Sequence, residues 1–158
     1  MTEKKRKTEP QFAVRRIYTK DLSYEAPHAP EIFLWEGQPK HELNLNTKPA
    51  KLDDNTFEVV LSVTITTKVA DKTAWIVEVH LAGVFELRGF SDAELNRVLG
   101  AFCPNLLFPY ASEVVSNLVA KGGFPPFVLQ PVNFDALFEQ HQQQLADRNQ
   151  RASSSIPH

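Results

Sequence analysis

The residues able to do chemistry are few and scattered. Five histidines stand at His28, His41, His80, His141 and His158, and none shares metal-ligand spacing with another or with Cys103. Cys103 is the only cysteine. With His80 it could make a nucleophile and base, but a lone cysteine behind an apolar helix is ordinarily buried and inert. There is no G-x-S-x-G, no paired-cysteine motif and no glycine-rich phosphate loop. Lys121-Gly122-Gly123 falls at a helix end where carbonyls point outward, and a phosphate would want the other end. Asp53-Asp54 reads as a turn before a strand rather than a cation site. No catalytic residue, metal or cofactor is expected. What remains is surface.

The elements that must present this surface follow from hydrophobic period. Gln11 to Glu25 alternates with period two, which places Asp21 and Glu25 together on the wetter face of a strand that Pro27 and Pro30 end. A proline-bounded stretch to Pro39 carries Ile32, Phe33, Leu34 and Trp35 in a row, more apolar than a connecting loop needs. Leu43 and Leu45 suggest a short second strand. Thr56 to Val69 and Thr73 to Leu87 alternate cleanly around a turn at Asp71-Lys72, which reads as an antiparallel hairpin. Its odd face holds Trp75, Val77 and Val79, and Ile76 and Glu78 fall on the other.

The period then becomes helical. Ser91-Asp92-Ala93-Glu94 is a capping box, and Leu95, Val98, Leu99 and Phe102 form a stripe behind it. Cys103-Pro104-Asn105 is expected to break that helix, with Pro109 opening a second one striped by Ala111, Val114, Val115 and Leu118. Gly122-Gly123 caps it, and Asn133 starts a last helix carrying Phe134, Leu137, Phe138, His141 and Leu145. Strands followed by helices predict an α+β fold with helices on one face of an antiparallel sheet.

The 158 residues are one domain's worth, with 42% hydrophobic residues and therefore a real core. The single cysteine excludes an internal disulfide framework and fits a reducing compartment. The net charge of −2 argues against a general nucleic-acid binder. No run approaches the ~18 apolar residues of a membrane span, and the basic N-terminus lacks the apolar stretch of a signal peptide, so a cytoplasmic location is expected. Residues 1–10 read as a disordered basic head, 11–147 as the domain and 148–158 as a disordered tail. Lys4, Lys5, Arg6 and Lys7 could serve a nucleic acid, though so short a run is ordinarily a solvated terminus. The apolar faces exceed what one small layer covers, which favours an oligomer and a binding role.

Three blocks then become recognisable. Arg16-Ile17-Tyr18-Thr19-Lys20-Asp21 with Glu25-Ala26-Pro27, Gly100-Ala101-Phe102-Cys103-Pro104-Asn105-Leu106-Leu107-Phe108-Pro109-Tyr110-Ala111, and Pro131-Val132-Asn133-Phe134-Asp135-Ala136-Leu137-Phe138 occur in order. Together they resemble the SecB family of bacterial export chaperones over about residues 12–145. The resemblance implies a four-stranded antiparallel sheet with helices, assembled as a homotetramer, a dimer of dimers. It implies ATP-independent holding of unfolded precursor proteins and delivery to SecA, the motor of the Sec translocon, with no cofactor and no membrane insertion. SecA docking would fall on Asp21, Glu25, Ile76 and Glu78. Clients would lie along Ile32, Phe33, Leu34 and Trp35 with Phe108, Tyr110, Val114 and Leu118. Trp75, Val77 and Val79 are expected at the oligomer interface. The alternatives are a SecB-like chaperone dedicated to one client such as an antitoxin, a small enzyme using Cys103, and a nucleic-acid module.

Overall fold

The computed structural model describes residues 9–154. The basic run Lys4–Lys7 and the last four residues lie outside the described residues. Four strands form one antiparallel sheet: β1 (Gln11–Glu25), β2 (Lys40–Lys51), β3 (Thr56–Val69) and β4 (Lys72–Arg88), in spatial order β1-β4-β3-β2. β2 runs well beyond the expected Leu43 and Leu45. It pairs with β3 along its whole length and tolerates Pro49 because it is an edge strand, whose outward amides serve no ladder. The β3–β4 turn lies one residue earlier than expected. Ala70 and Asp71 take φ of 50° and 63°, and Val69 pairs directly with Lys72, which makes a two-residue hairpin turn whose twist matches the strands.

β1 contains two bulges, between Val14 and Arg16 and between Thr19 and Asp21. Each inserts one residue and so exchanges the two faces. Phe12, Ile17 and Tyr24 therefore share the core face although their numbers differ in parity, and Tyr18 is turned to the opposite face. The second bulge restores the first parity, so the reading of Asp21 and Glu25 as neighbours on one face holds.

The helical half departs most from the sequence expectation. α1 (Asp92–Arg97) begins at the capping box, with the Ser91 hydroxyl accepting from Glu94 N–H and the Glu94 carboxylate accepting from Ser91 N–H. It does not break at Cys103. A π-helical turn over Val98–Phe102 joins it to α2 (Cys103–Lys121), and Cys103 N–H donates to the Val98 carbonyl five residues back. Pro104 follows directly on this π turn, inside the continuous helix. Pro109 does not open a helix but sits inside one. It forfeits one ladder bond. The helix persists because Leu107, Ala111, Val115 and Val119 are clamped, fully buried, against the sheet. Gly123, at φ 87°, supplies the left-handed residue that ends it. α3 (Phe134–Ser154) has the Asn133 side chain accepting from Ala136 N–H as its N-cap. It stays helical to Ser154, past Arg148 where fraying was expected.

The continuous helix from Asp92 to Lys121 has the length and composition to cross a membrane, but its apolar stripe is packed on β4 and β3. Trp75, Val77 and Val79 are 3%, 0% and 0% exposed within the single chain. The expectation that they form an oligomer interface is corrected: all three are buried within the chain itself, Trp75 against Phe127 of the segment after α2 and His41 of β2. A partner chain cannot reach them.

Candidate functional site: a polar sheet face and an aromatic flank

Directly paired strand residues point to the same face, so register lays out the uncovered side of the sheet in rows. Glu25, Ile76 and Thr66 make one row, Ser23, Glu78 and Thr64 the next, and Asp21, His80 and Ser62 the third. Successive rows are about 7 Å apart and strands about 5 Å. Asp21, Glu25, Ile76 and Glu78 therefore fit one patch two strands wide. Asp21 and Glu25 are exposed and, among the described residues, join no ion pair. Ile76 is half-buried between them and β3.

Beyond the third row the carboxylates are paired off. Glu58 accepts from the Tyr18 hydroxyl and from Lys20 Nζ at 2.8 Å, and these bonds hold its carboxyl below the usual range. Burial, then the Glu58 carboxylate, pushes the Tyr18 phenol up to about 12. Glu86 is held low by Arg15 and Arg88. The uncompensated negative charge is thus confined to the first three rows.

The second surface lies at the C-terminal end of α2. A 3-10 turn at Glu31–Leu34 replaces the expected plain loop. It buries Ile32 and leaves Phe33 half-exposed and Leu34 84% exposed. Phe33 packs over Gly123 and against Phe124, with ring centroids 5.1 Å apart. Trp35 is half-buried, with Lys72 Nζ 4.8 Å over its ring. The linker after Gly123 then crosses toward β2, where Phe127 meets His41 at 4.7 Å and Trp75 at 5.5 Å, leaving Val128 exposed. Sequence reasoning did not single out Phe124, Phe127 or Val128, although a phenylalanine-rich proline linker was a visible signal.

The structure brings together only part of the expected groove. Ile32 is corrected from lining to anchor, since it is 4% exposed and belongs to the core. Phe108 and Tyr110 stand about 200° apart around α2. Phe108 packs on Phe134 at 5.6 Å, while Tyr110 is exposed. Val114 and Leu118 are half-buried beside the clamped face. Phe33, Leu34 and Trp35 remain as the accessible apolar lip.

The nucleophile–base pairing is also removed. Cys103 is wholly buried on the helix side of the sheet, where desolvation pushes its thiol up to about 12. His80 lies on the other side, among Ser62 and Glu78. Asp53 is a turn residue, its carboxylate accepting from Asn55 N–H.

The structure thus sets a polar, acid-bearing sheet face on one side and an aromatic flank on the other. Residues 5–145 match the family described as Preprotein translocase subunit SecB. The chain belongs to the SecB family of protein-export chaperones. It is 49% identical over its full length, and over all of the relative, to the protein-export protein SecB of Methylococcus capsulatus. It is 54% identical over 136 residues to that of Nitrosococcus oceani, covering 85% of this chain and 83% of the relative. Among solved structures, a SecB-like chaperone of Mycobacterium tuberculosis bound to a peptide of the HigA1 antitoxin superposes with a TM-score of 0.65. That match covers 77% of this chain and 90% of the other at 17% identity, a likeness of fold alone.

Proposed function

We propose that this SecB protein is an ATP-independent, cytoplasmic holdase that binds unfolded precursors on its aromatic flank and passes them to SecA through the acidic sheet face. The observation that carries this is the segregation of the two surfaces. Exposed Phe33, Leu34 and Val128 lie at the helix side, and Asp21, Glu25, Ile76 and Glu78 gather on the opposite side of the sheet. A client can then be held while the partner docks. Apolar burial is non-directional, so a lip of this kind accepts many sequences. Carboxylates set around one apolar contact suit a cationic segment.

Assembly as a dimer of dimers fits the apolar side chains left uncovered at the β1 flank. Val14, Leu22 and Phe102 are each between 44% and 48% exposed there. Phe102 meets Phe12 of β1 edge-on at 5.1 Å. These positions, and not Trp75, Val77 and Val79, are the ones a second chain can cover.

A chaperone dedicated to an antitoxin is not favoured, because the relatives at about half identity are export proteins. Light scattering of the protein with an unfolded precursor, with and without SecA, tests the proposal. A tetramer, a client complex and a ternary complex are expected in turn. Absence of the ternary mass while both binary complexes form would exclude separate surfaces.

A further inference from the structure

We propose that His80 is a positioning residue for Glu78 on the acidic sheet face, and that it makes docking there sensitive to pH. This rests on the reading of that face as the SecA surface. The geometry is a chain of three side chains across two strands. Ser62 Oγ lies 3.0 Å from His80 Nδ1, and His80 Nε2 lies 2.7 Å from Glu78 Oε1. A carboxylate only accepts, so Nε2 carries the proton, and Nδ1 of the neutral ring accepts from the Ser62 hydroxyl. Ser62 is anchored on β3, half-buried, directly opposite His80 in register. The ring is therefore held at one edge and holds Glu78 at the other. Without it, a half-exposed glutamate on a strand samples several rotamers and must be ordered when a partner arrives.

The charges around the ring set the sign of its pH effect. From β1 the facing group is Asp21, paired directly with His80. Lys20 stands beside it but is turned to Glu58. From β3 the facing group is neutral Ser62, and on β4 itself it is Glu78. A second ring proton would place a positive charge between the two carboxylates that attract a cationic segment. Docking should weaken as pH falls.

The test is titration calorimetry of the intact oligomer against SecA at pH 8 and pH 6, for wild type, Glu78→Gln, His80→Ala and His80→Gln. Circular dichroism checks that each variant is folded. At pH 8, His80→Ala should bind about three-fold more weakly than wild type, the size of effect expected for a surface charge interaction. His80→Gln keeps an amide N–H where Nε2–H stood and should recover most of that loss. It should also abolish the part of the pH dependence that wild type shows. Nitrogen-15 shifts of the His80 ring in the free protein should report the Nε2–H form. Wild-type affinity in both His80 variants, beside a weakened Glu78→Gln, overturns this inference and leaves the docking reading standing. Undiminished binding by Glu78→Gln overturns both.

Discussion

Gly100 of the π-helical turn lies flat against the ring of Phe138 in α3: a β-carbon on Gly100 would sit 2.5 Å from Phe138 Cδ2. The same ring is covered on another side by the Arg97 guanidinium, 5.2 Å from its centroid, and Arg97 also pairs with Asp135 and Glu139. The π turn is thus the seat on which α3 docks. From Glu139 onward α3 is exposed, so this seat is its main attachment.

Gly100→Ala is expected to overpack the seat and cost about 1–3 kcal/mol in urea denaturation. In a Phe138→Ala background the same substitution should cost far less, because the clashing ring is gone. Additive losses in the double variant would mean that the two residues are uncoupled.

Val79→Asp is expected to abolish folding rather than assembly. The site is 0% exposed under α2, and an unpaired carboxylate there costs more than about 4 kcal/mol. A soluble monomer with a native circular dichroism spectrum would contradict this.

Phe33→Ser combined with Trp35→Ser should leave the fold intact and weaken binding of an unfolded precursor more than about ten-fold, the loss of roughly 2 kcal/mol of apolar contact. Suppression of precursor aggregation measures it. Full activity in the double variant would place the client elsewhere.

Glu25→Gln and Glu78→Gln should keep the oligomer and the client and lose SecA. The attraction in wild type should also fall with salt, since the Debye length shrinks from ~10 Å at 0.1 M to ~3 Å at 1 M. Calorimetry at two salt concentrations reads both effects.

The Tyr18–Glu58–Lys20 cluster should tie stability to pH. The Glu58 carboxyl is held low in the folded chain, so its contribution is present above the ordinary carboxylate range and lost as pH falls through the folded value. Urea midpoints of wild type and Glu58→Gln should therefore converge in acid. The Tyr18 phenol is raised, so its contribution is present below pH ~10 and lost as pH rises toward about 12. Tyr18→Phe should cost about 1 kcal/mol at neutral pH and should lack that alkaline loss.

What the sequence determined by itself was local. Alternation over Thr56–Val69 and Thr73–Leu87 specified two strands, because a side-chain period of two is a property of the backbone. Ser91 with Glu94, Asn133 and Gly123 specified helix ends, because each satisfies orphan backbone groups within a few residues. Three residue blocks were specific enough to suggest the family. Tertiary structure alone decided what depends on partners distant in sequence. β2 carries little apolar signal, and it is a strand because β3 takes its hydrogen bonds. The faces of β1 exchange twice because β4, at a fixed register, leaves two residues unpaired. The helix passes Cys103 and Pro109 because the sheet holds its stripe, overriding local breakers. The fate of Trp75, Val77 and Val79 was the widest miss. Their apolar pattern says that something must cover them. Only the path of the chain says that α2 and the linker behind it do.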